Sequence, residues 1–296
     1  MPILFAIVGA TGTGKSSVAV ELAAHYGAEI IGVDSRQIYK GFAIGTAQPP
    51  RSDMEKVKHH MVDFLEPEKV FSAGDFCTLT KELLEAYPER KFIAVGGTGL
   101  YMQSLMLGLP QIPKVAPEVR AEIEEFGRSA GIDSLFKMAC EIDPEAMANV
   151  DEHNVQRIVR ILEVHRATGR KLSEWQKERV GGIGALPVFW LDRPREALYA
   201  RIDARVDQMM RDGWMDEVLR LAQTVPLDAP AWQSLGYREL LQANSSAEIA
   251  RVVEDVKRKT RNYAKRQLTW FRWQVESTRI DMDSCNPVDV IADSLV

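Results

Sequence analysis

The segment GATGTGKSS, residues 9–17, combines residue types and a spacing that suit the binding of a phosphorylated ligand. It fits the pattern G-x-x-x-x-G-K-[ST] and lies between an apolar run and a helical pattern. Glycines let backbone N–H groups converge on phosphate oxygens, and the N-terminus of the following helix adds partial positive charge. Lys15 supplies a mobile charge, and the Ser16 hydroxyl can bind Mg²⁺. The residues expected to hold a di- or triphosphate are Gly9, Ala10, Thr11, Gly12, Thr13, Gly14, Lys15 and Ser16.

A phosphate loop does not define the reaction that follows. Three classes stay open on this motif alone: a nucleotide-driven switch or motor, a small-molecule kinase, and a transferase that releases pyrophosphate. A nucleotide hydrolase needs an acidic Mg²⁺ ligand at the end of a later strand, and Asp192 in PVFWLDRP is the one similar residue. We interpret Asp192 as structural, because it lies far along the chain.

A second polar segment, DSRQIYKG at residues 34–41, follows the apolar run EIIGVDS, and GGTGLY at residues 96–101 follows a third apolar run. In a doubly wound sheet, ligands bind at the carboxyl ends of the strands. Asp34, Ser35, Gln37 and Tyr39 are therefore expected to border the phosphate site. Three polar or glycine-rich strand ends that meet in one cleft favour catalysis over a solvated loop.

Four short apolar runs bounded by turn residues predict the buried strands that position these loops. They are ILFAIVG from Ile3, EIIGVDS from Glu29, KFIAVGGT from Lys91 and PVFWLDR from Pro187. Helical patterns lie between them. Strands that alternate with helices pair in parallel, so the sequence predicts an α/β fold of the P-loop NTPase-like type, with a doubly wound parallel sheet.

The alternation of strands and helices stops at about residues 115–179, because the pattern there is helical throughout. Prolines 110, 113 and 117 mark the entrance of the segment, and glycines 181, 182 and 184 mark its exit. We therefore divide the chain into a first part of the core at residues 1–114, an all-helical insertion at 115–184, and residues 185–296, which complete the core and end in basic helices.

Composition limits the compartment and the partners. The three cysteines are far apart and no long apolar run exists, so we expect a cytoplasmic protein that does not enter a membrane. A monomer is our separate expectation. The net charge is −5, yet residues 251–279 hold nine Lys and Arg against three Asp and Glu. This asymmetry indicates a polyanionic partner.

Seven motifs in order resemble the bacterial tRNA dimethylallyltransferases, also called tRNA isopentenyltransferases. They are GATGTGKSS, DSRQIYKG, GTAQPP, HHMVD, GGTGLY, SLGYREL and TRNYAKRQLTWFRW, and they span nearly the whole chain. One departure is Gln48 in GTAQPP, where the family usually has lysine. The resemblance implies transfer of a dimethylallyl group from dimethylallyl diphosphate to the exocyclic amine of the adenine 3′ of the anticodon in tRNA.

The resemblance also implies roles for individual residues. Lys15, Ser16 and Mg²⁺ would stabilise the leaving pyrophosphate, and Asp34 would accept the proton of the attacking amine. The adenine would have to be flipped out of the anticodon loop into the cleft. The residues that the resemblance and the basic patterns assign to tRNA are Asp34, Ser35, Arg36, Gln37, Thr98, Arg120, Gln156, Arg157, Arg160, Arg258, Arg261 and Lys265.

Helical spacing supports two of these basic surfaces. In the helix predicted at about residues 255–273, Arg258, Arg261 and Lys265 share one face, opposite Val256, Tyr263 and Gln267. In NVQRIVRILEVHRATG, Gln156, Arg157 and Arg160 project opposite an apolar stripe. A solvated basic face is the ordinary alternative in both cases.

Three other functions stay open. A prenyltransferase for free adenine nucleotide would not need the basic helices. A small-molecule kinase would leave DSRQIYKG unexplained, and a non-enzymatic RNA-binding module would not need Asp34.

Overall fold

The computed structural model of the chain describes residues 2–148, 150–274 and 276–295, except the side chain of residue 273. The chain forms two compact units. We call residues 1–105 with 185–296 the core unit, and residues 106–184 the inserted unit.

Eight strands occur in the described residues. They are β1 (Ile3–Val8), β2 (Ala28–Val33), β3 (His59–His60), β4 (Lys91–Gly96), β5 (Gly108–Pro110), β6 (Arg179–Gly181), β7 (Val188–Asp192) and β8 (Thr278–Asp281). Six of them form one sheet in the order β3-β2-β4-β1-β7-β8, and every pairing in it is parallel. The four strands predicted from apolar runs are β1, β2, β4 and β7, so the predicted α/β fold with a parallel sheet is confirmed.

The helices surround this sheet or build the inserted unit. They are α1 (Lys15–Tyr26), α2 (Arg51–Lys56), α3 (Ala73–Ala86), α4 (Gly99–Leu107), α5 (Pro117–Ala130), α6 (Ile132–Ile142), α7 (Pro144–Met147), α8 (Val155–Thr168), α9 (Leu172–Lys177), α10 (Arg195–Arg211), α11 (Trp214–Leu221), α12 (Tyr237–Gln242), α13 (Ser246–Gln274) and α14 (Pro287–Ser294), with a 3₁₀ turn at Pro230–Gln233. None of the helices within the described residues is long and apolar enough to cross a membrane.

Burial of apolar side chains explains the two main cores of the core unit. Phe5, Ile7 and Ile93 are fully buried against α1, since alternate residues of a strand face the same side of the sheet. A second cluster joins helices α10–α13 to the segment after β2 and centres on Trp214 and Trp232. Burial of such large side chains stabilises each cluster by roughly 1.5–3 kcal/mol per residue.

The sheet places three loops side by side at its carboxyl edge. Val8 at the end of β1 is paired with Gly96 of β4, and Gly96 is also paired with Val33 of β2. The phosphate loop, DSRQIYKG and GGTGLY therefore all begin at the same edge.

The short strands were not predicted. The pattern of residues 115–179 predicts helices, and none of the four predicted strands includes residues 59–60. His59 and His60 nevertheless form an edge strand beside Ile30 and Ile31. Strand β6 begins at Arg179 and pairs with β5 as an antiparallel ribbon of the inserted unit, and β8 follows the long helix α13. Two- to four-residue strands with few fully buried side chains give no usable periodicity.

The inserted unit has its own core, in which α8 is central. Ile158, Val159 and Leu162 are buried against residues of α5 and α6. The carboxylate of Asp143 is fully buried and accepts hydrogen bonds from the backbone N–H groups of Ala146 and Ser173, at 3.0 and 2.9 Å. This carboxylate joins the start of α7 to the start of α9.

Candidate active site

A cavity of about 600 Å³ lies in the core unit at the carboxyl edge of the sheet. Its lining includes residues from the phosphate loop, from DSRQIYKG, from the end of β4, and from helices α10 and α13. The polar residues of the lining include Thr11, Lys15, Ser16, Asp34, Ser35, Arg36, Gln37, Arg205, Tyr263, Arg266 and Gln267. The structure thus brings the predicted phosphate loop and the predicted carboxylate into one space.

The phosphate loop is held in shape by its own side chains. The carbonyl of Ala10 accepts hydrogen bonds from the Thr13 hydroxyl at 2.9 Å and from Lys15 Nζ at 2.7 Å. Gly9 must be glycine because a Cβ there would lie 2.4 Å from the carbonyl oxygen of Leu191. Gly14 immediately precedes α1, so the loop leads directly into a helix N-terminus, which favours an anion.

Three arginines that were not predicted from the sequence bind this loop from the second half of the core unit. Arg193 Nε donates to the Thr13 carbonyl at 3.2 Å, Arg201 Nε donates to the Gly12 carbonyl at 2.9 Å, and Arg205 Nη1 donates to the Thr11 hydroxyl at 3.1 Å. Arg201 and Arg205 lie one turn apart on α10, at the i, i+4 spacing that puts both on one face. That spacing was the only signal in the sequence that could have found them.

The site concentrates positive charge in a partly dehydrated space. Burial, together with the neighbouring guanidinium of Arg205, lowers the pKa of Lys15 to about 7, while the carboxylate of Asp34 acts in the opposite direction. Burial also lowers the pKa of Arg205. The positive charge of Arg205 disfavours the charged form of Lys15, and the negative charge of a diphosphate would favour it.

The two oxygens of Asp34 have different surroundings. Oδ1 accepts the backbone N–H groups of Arg36 and Gln37, at 2.8 and 3.2 Å, which fixes the turn after β2. No hydrogen bond between described residues engages Oδ2. A carboxylate that is fixed through one oxygen and open at the other suits proton acceptance from a bound substrate.

Thr98 connects two of the loops and a helix. Its Oγ1 accepts the N–H of Ser35 at 3.1 Å, and its backbone N–H donates to the Val33 carbonyl. The phenol of Tyr263 on α13 lies near Thr98, and its pKa is raised to about 12 by burial and by the charge of Asp34. Tyr263, which we expected to pack away from the RNA face, therefore lines the cavity near the carboxylate.

Gln37 and Gln48 brace DSRQIYKG against the following GTAQ segment. Gln37 Nε2 donates to the carbonyls of Thr46 and Ala47, and Gln48 Nε2 donates to those of Gln37 and Tyr39 at 2.9 Å. Gln48 thus holds the backbone of DSRQIYKG through its amide. Arg36 lines the cavity, and its Nη1 lies 3.5 Å from the Pro230 carbonyl.

The basic residues of α13 differ in how they are paired. Arg261 is bound to both carboxylate oxygens of Asp203 at 2.5 and 2.7 Å, and Arg258 forms an ion pair with Asp255. Lys265 is exposed and forms no ion pair within residues 2–148, 150–274 and 276–295. Val256 and Gln267 are buried, as the helical spacing predicted.

In the inserted unit, a buried carboxylate holds two of the predicted RNA-binding arginines. Glu163, which is 3% exposed, accepts a hydrogen bond from Arg160 at 2.7 Å and lies 3.8 Å from Arg120. Arg120 is also paired with Glu124. Gln156 and Arg157 are exposed in the first turn of α8. Glu163 was not identified from the sequence, because a single acidic residue in a helix has no distinctive pattern.

The donor atoms in the cavity fit a Mg²⁺ ion that arrives with a phosphorylated ligand. No group of three or more His, Cys, Asp or Glu in the described part of the chain could form a metal cage. Mg²⁺ is commonly held by one or two protein oxygens together with phosphate oxygens and water. The exposed hydroxyl of Ser16 and the carboxylate of Asp34 line the same cavity and are oxygen donors of this kind.

Together, the parallel sheet and the glycine-rich loop that leads from β1 into α1 define an α/β protein of the P-loop-like type. Comparison with known proteins identifies the family. The sequence model of the IPP transferase family matches residues 37–274. The chain belongs to the IPP transferase family.

Two curated relatives and two solved structures illustrate the similarity. The tRNA dimethylallyltransferase of Moorella thermoacetica is 38% identical and is aligned over 98% of this chain and 95% of its own length. That of Bacillus licheniformis is 38% identical, with 95% and 91% covered. The tRNA isopentenylpyrophosphate transferase of Bacillus halodurans superposes with a TM-score of 0.70 at 34% identity, covering 100% of this chain and 95% of that one. A eukaryotic dimethylallyltransferase that acts on tRNA superposes with a TM-score of 0.79 at 25% identity, covering 99% and 77%.

Proposed function

We propose that this protein transfers a dimethylallyl group from dimethylallyl diphosphate to the exocyclic amine of the adenine 3′ of the anticodon in tRNA, in the cytoplasm. Membership of the IPP transferase family supports the reaction class. The single observation in the structure that carries the proposal is the shared cavity. It is lined by a phosphate loop, which suits the leaving diphosphate, and by a carboxylate with one open oxygen, which suits the attacking amine.

In this proposal the phosphate loop binds the diphosphate. Backbone N–H groups at the start of α1, Lys15 and Arg205 supply positive charge where negative charge grows as the allylic C–O bond breaks. A Mg²⁺ held by Ser16 and diphosphate oxygens would add further charge stabilisation when bound. The open cavity beyond the loop gives the allylic group room to lie near Asp34.

Asp34 then completes the transfer at the acceptor. The adenine nitrogen forms the new C–N bond to the allylic carbon, the C–O bond to diphosphate breaks, and pyrophosphate leaves. The nitrogen loses one proton, and the carboxylate of Asp34 accepts it. An exocyclic amine is a weak nucleophile, so its placement beside a fixed carboxylate contributes to the rate.

The tRNA is expected to contact each unit through its own polar face. On the core unit the candidates are Ser35, Arg36, Gln37, Thr98, Arg258, Arg261 and Lys265, and on the inserted unit they are Arg120, Gln156, Arg157 and Arg160. Positively charged side chains bind phosphates without reading sequence, whereas residues at the cavity would contact the flipped base.

One incubation tests the proposal. Purified protein, Mg²⁺ and radiolabelled dimethylallyl diphosphate are mixed with unmodified tRNA or with AMP, and the label is counted in each acceptor, with EDTA added in a parallel sample. We expect label in tRNA, little in AMP, and a loss of transfer in EDTA. Label in AMP alone would favour the free-nucleotide prenyltransferase, and label in neither acceptor would overturn the proposal.

A further inference from the structure

The side chain of Gln267 on α13 joins two of the loops that border the cavity. It is 6% exposed, and both ends of its amide are bonded to backbone. Oε1 accepts the N–H of Thr11 at 2.9 Å, and Nε2 donates to the carbonyl of Gly97 at 2.9 Å. The amide orientation is unambiguous, because an N–H requires an acceptor and a carbonyl requires a donor.

The first of these bonds acts on Lys15 through a shared peptide group. The N–H of Thr11 and the carbonyl of Ala10 belong to the same planar unit, so fixing one fixes the other. That carbonyl accepts Lys15 Nζ at 2.7 Å and the Thr13 hydroxyl at 2.9 Å. Gln267 therefore sets the orientation of the peptide to which the phosphate-loop lysine is bonded, without touching the lysine itself.

The second bond belongs to a continuous contact between α13 and GGTGLY. Tyr263, Gln267 and Trp270, at spacings of four and three, meet Thr98, Gly97 and Gly99 respectively. A Cβ on Gly97 would lie 2.3 Å from Gln267 Nε2, so glycine is required there for this approach. The helix thus fixes the end of β4 and the phosphate loop through one buried side chain.

We propose that Gln267 is a positioning residue for diphosphate binding, acting through the Ala10–Thr11 peptide on the phosphate loop and Lys15. The inference rests on the proposed function, because it assigns the phosphate loop to the diphosphate of the donor. Loss of the amide would allow this peptide to rotate. The Ala10 carbonyl, which accepts hydrogen bonds from Lys15 and Thr13, would then no longer be held in one orientation.

The test is binding of inorganic pyrophosphate with Mg²⁺, measured by calorimetry on the full chain. Gln267→Met keeps the length of the side chain but removes both hydrogen bonds. We expect about a five- to tenfold weaker affinity, the effect of losing roughly one net hydrogen bond. In the transfer assay, KM for dimethylallyl diphosphate should rise by a similar factor while KM for tRNA changes less than about twofold.

Trp270→Phe is the matched control, because Trp270 contacts the same GGTGLY loop from the same helix face but has no bond to the phosphate loop. Its thermal unfolding temperature should fall, while its pyrophosphate affinity stays within about twofold of the wild type. If Gln267→Met does not fold, Gln267→Asn replaces it, since this amide is one methylene too short to reach both partners.

The outcomes separate this inference from the proposed function. If the wild type fails to bind pyrophosphate, the donor site itself is refuted, and the inference falls with it. If the wild type binds and the folded Gln267 variant binds equally well, the positioning role alone is refuted. An equal loss of affinity in Trp270→Phe would also refute it, because general loosening of the helix would then explain the effect.

Discussion

At the level of single residues, the two carboxylate oxygens of Asp34 have different roles. Asp34 Oδ1 is committed to the turn formed by Arg36 and Gln37, whereas Oδ2 is open. Loss of the whole side chain would therefore remove both a structural acceptor and the proposed base. Asparagine keeps the Oδ1 acceptor and removes the negative charge, so it separates the two roles.

We predict that Asp34→Asn lowers kcat by at least about 10²-fold, because proton transfer by a positioned side chain contributes a factor of this order. Affinity for pyrophosphate and tRNA should change far less, since the turn is retained. Steady-state kinetics and direct binding measurements check both parts. Asp34→Ala serves as the comparison and should also weaken tRNA binding. Near-normal turnover of Asp34→Asn would remove Asp34 from the role of base.

Sequence patterns predicted those parts of the candidate site that come from a single short segment of the chain. The phosphate loop and Asp34 each follow an apolar run, so strand order alone brings them together. Arg193, Arg201 and Arg205 were missed, because they lie 180 or more residues further along the chain and join the loop through tertiary contacts. No spacing rule connects residues at such a separation.

At the level of secondary-structure elements, α13 has two functions. Its buried side fixes the loops around the cavity, and its exposed side carries the basic residues. Periodicity predicted this division into faces. It could not predict that Arg261 would be paired with Asp203 of α10, because helix packing decides which acidic residue is near.

We predict that Lys265→Glu weakens tRNA binding and flattens its salt dependence by about one unit of log–log slope, the expected effect of losing one phosphate contact. Lys265 is the most suitable position on this face, since its reversal breaks no ion pair within the described residues. Binding isotherms between about 50 and 200 mM salt measure the slope. Lys56→Glu, at the exposed end of α2, is the control. An unchanged slope for Lys265→Glu would assign this face to solvent.

A second element-level prediction concerns the inserted unit and acid. Burial disfavours the Asp143 carboxylate, but hydrogen bonds from Ser173 and Ala146 outweigh it, so the pKa of Asp143 is lowered. A group whose pKa is lower in the folded state stabilises that state above its unfolded pKa of about 4, and this stabilisation is lost as pH falls through the folded value.

We therefore expect Asp143→Asn to lower the free energy of unfolding at pH 7 by about 1–3 kcal/mol, as one buried N–H loses a charged acceptor. The variant should also lose less stability than the wild type when pH falls from about 5 to 3. Urea denaturation at several pH values checks this. Asp133→Asn, an exposed change in α6, should match the wild type. Parallel pH profiles for wild type and Asp143→Asn would contradict the assignment.

For the whole molecule, the sequence predicted the parallel sheet but not every strand of it. Long apolar runs specify β1, β2, β4 and β7, because each is buried on both faces. Edge strands β3 and β8 are short. Each pairs with a longer strand of the sheet, β2 or β7, and its own sequence does not indicate that pairing. Strand β5 belongs to the compact inserted unit through its pairing with β6, some 70 residues later, and so the unit extends back to Met106.

The charge distribution of the whole chain is consistent with an RNA substrate. The chain carries a net charge of −5, and its basic excess is concentrated in residues 251–279. A local positive field on an acidic protein directs a polyanion to one face and limits non-specific binding elsewhere.

The measurement that tests the central claim most directly is the location of the product. Unmodified tRNA is incubated with the protein, Mg²⁺ and dimethylallyl diphosphate, then cut by nucleases of known specificity and analysed by mass spectrometry. We predict one added dimethylallyl group, on the adenosine 3′ of the anticodon, and none in a tRNA that carries another base at that position. A dimethylallyl group at another position of the tRNA would contradict the proposed function. Consumption of dimethylallyl diphosphate without any modification of the tRNA would contradict it as well.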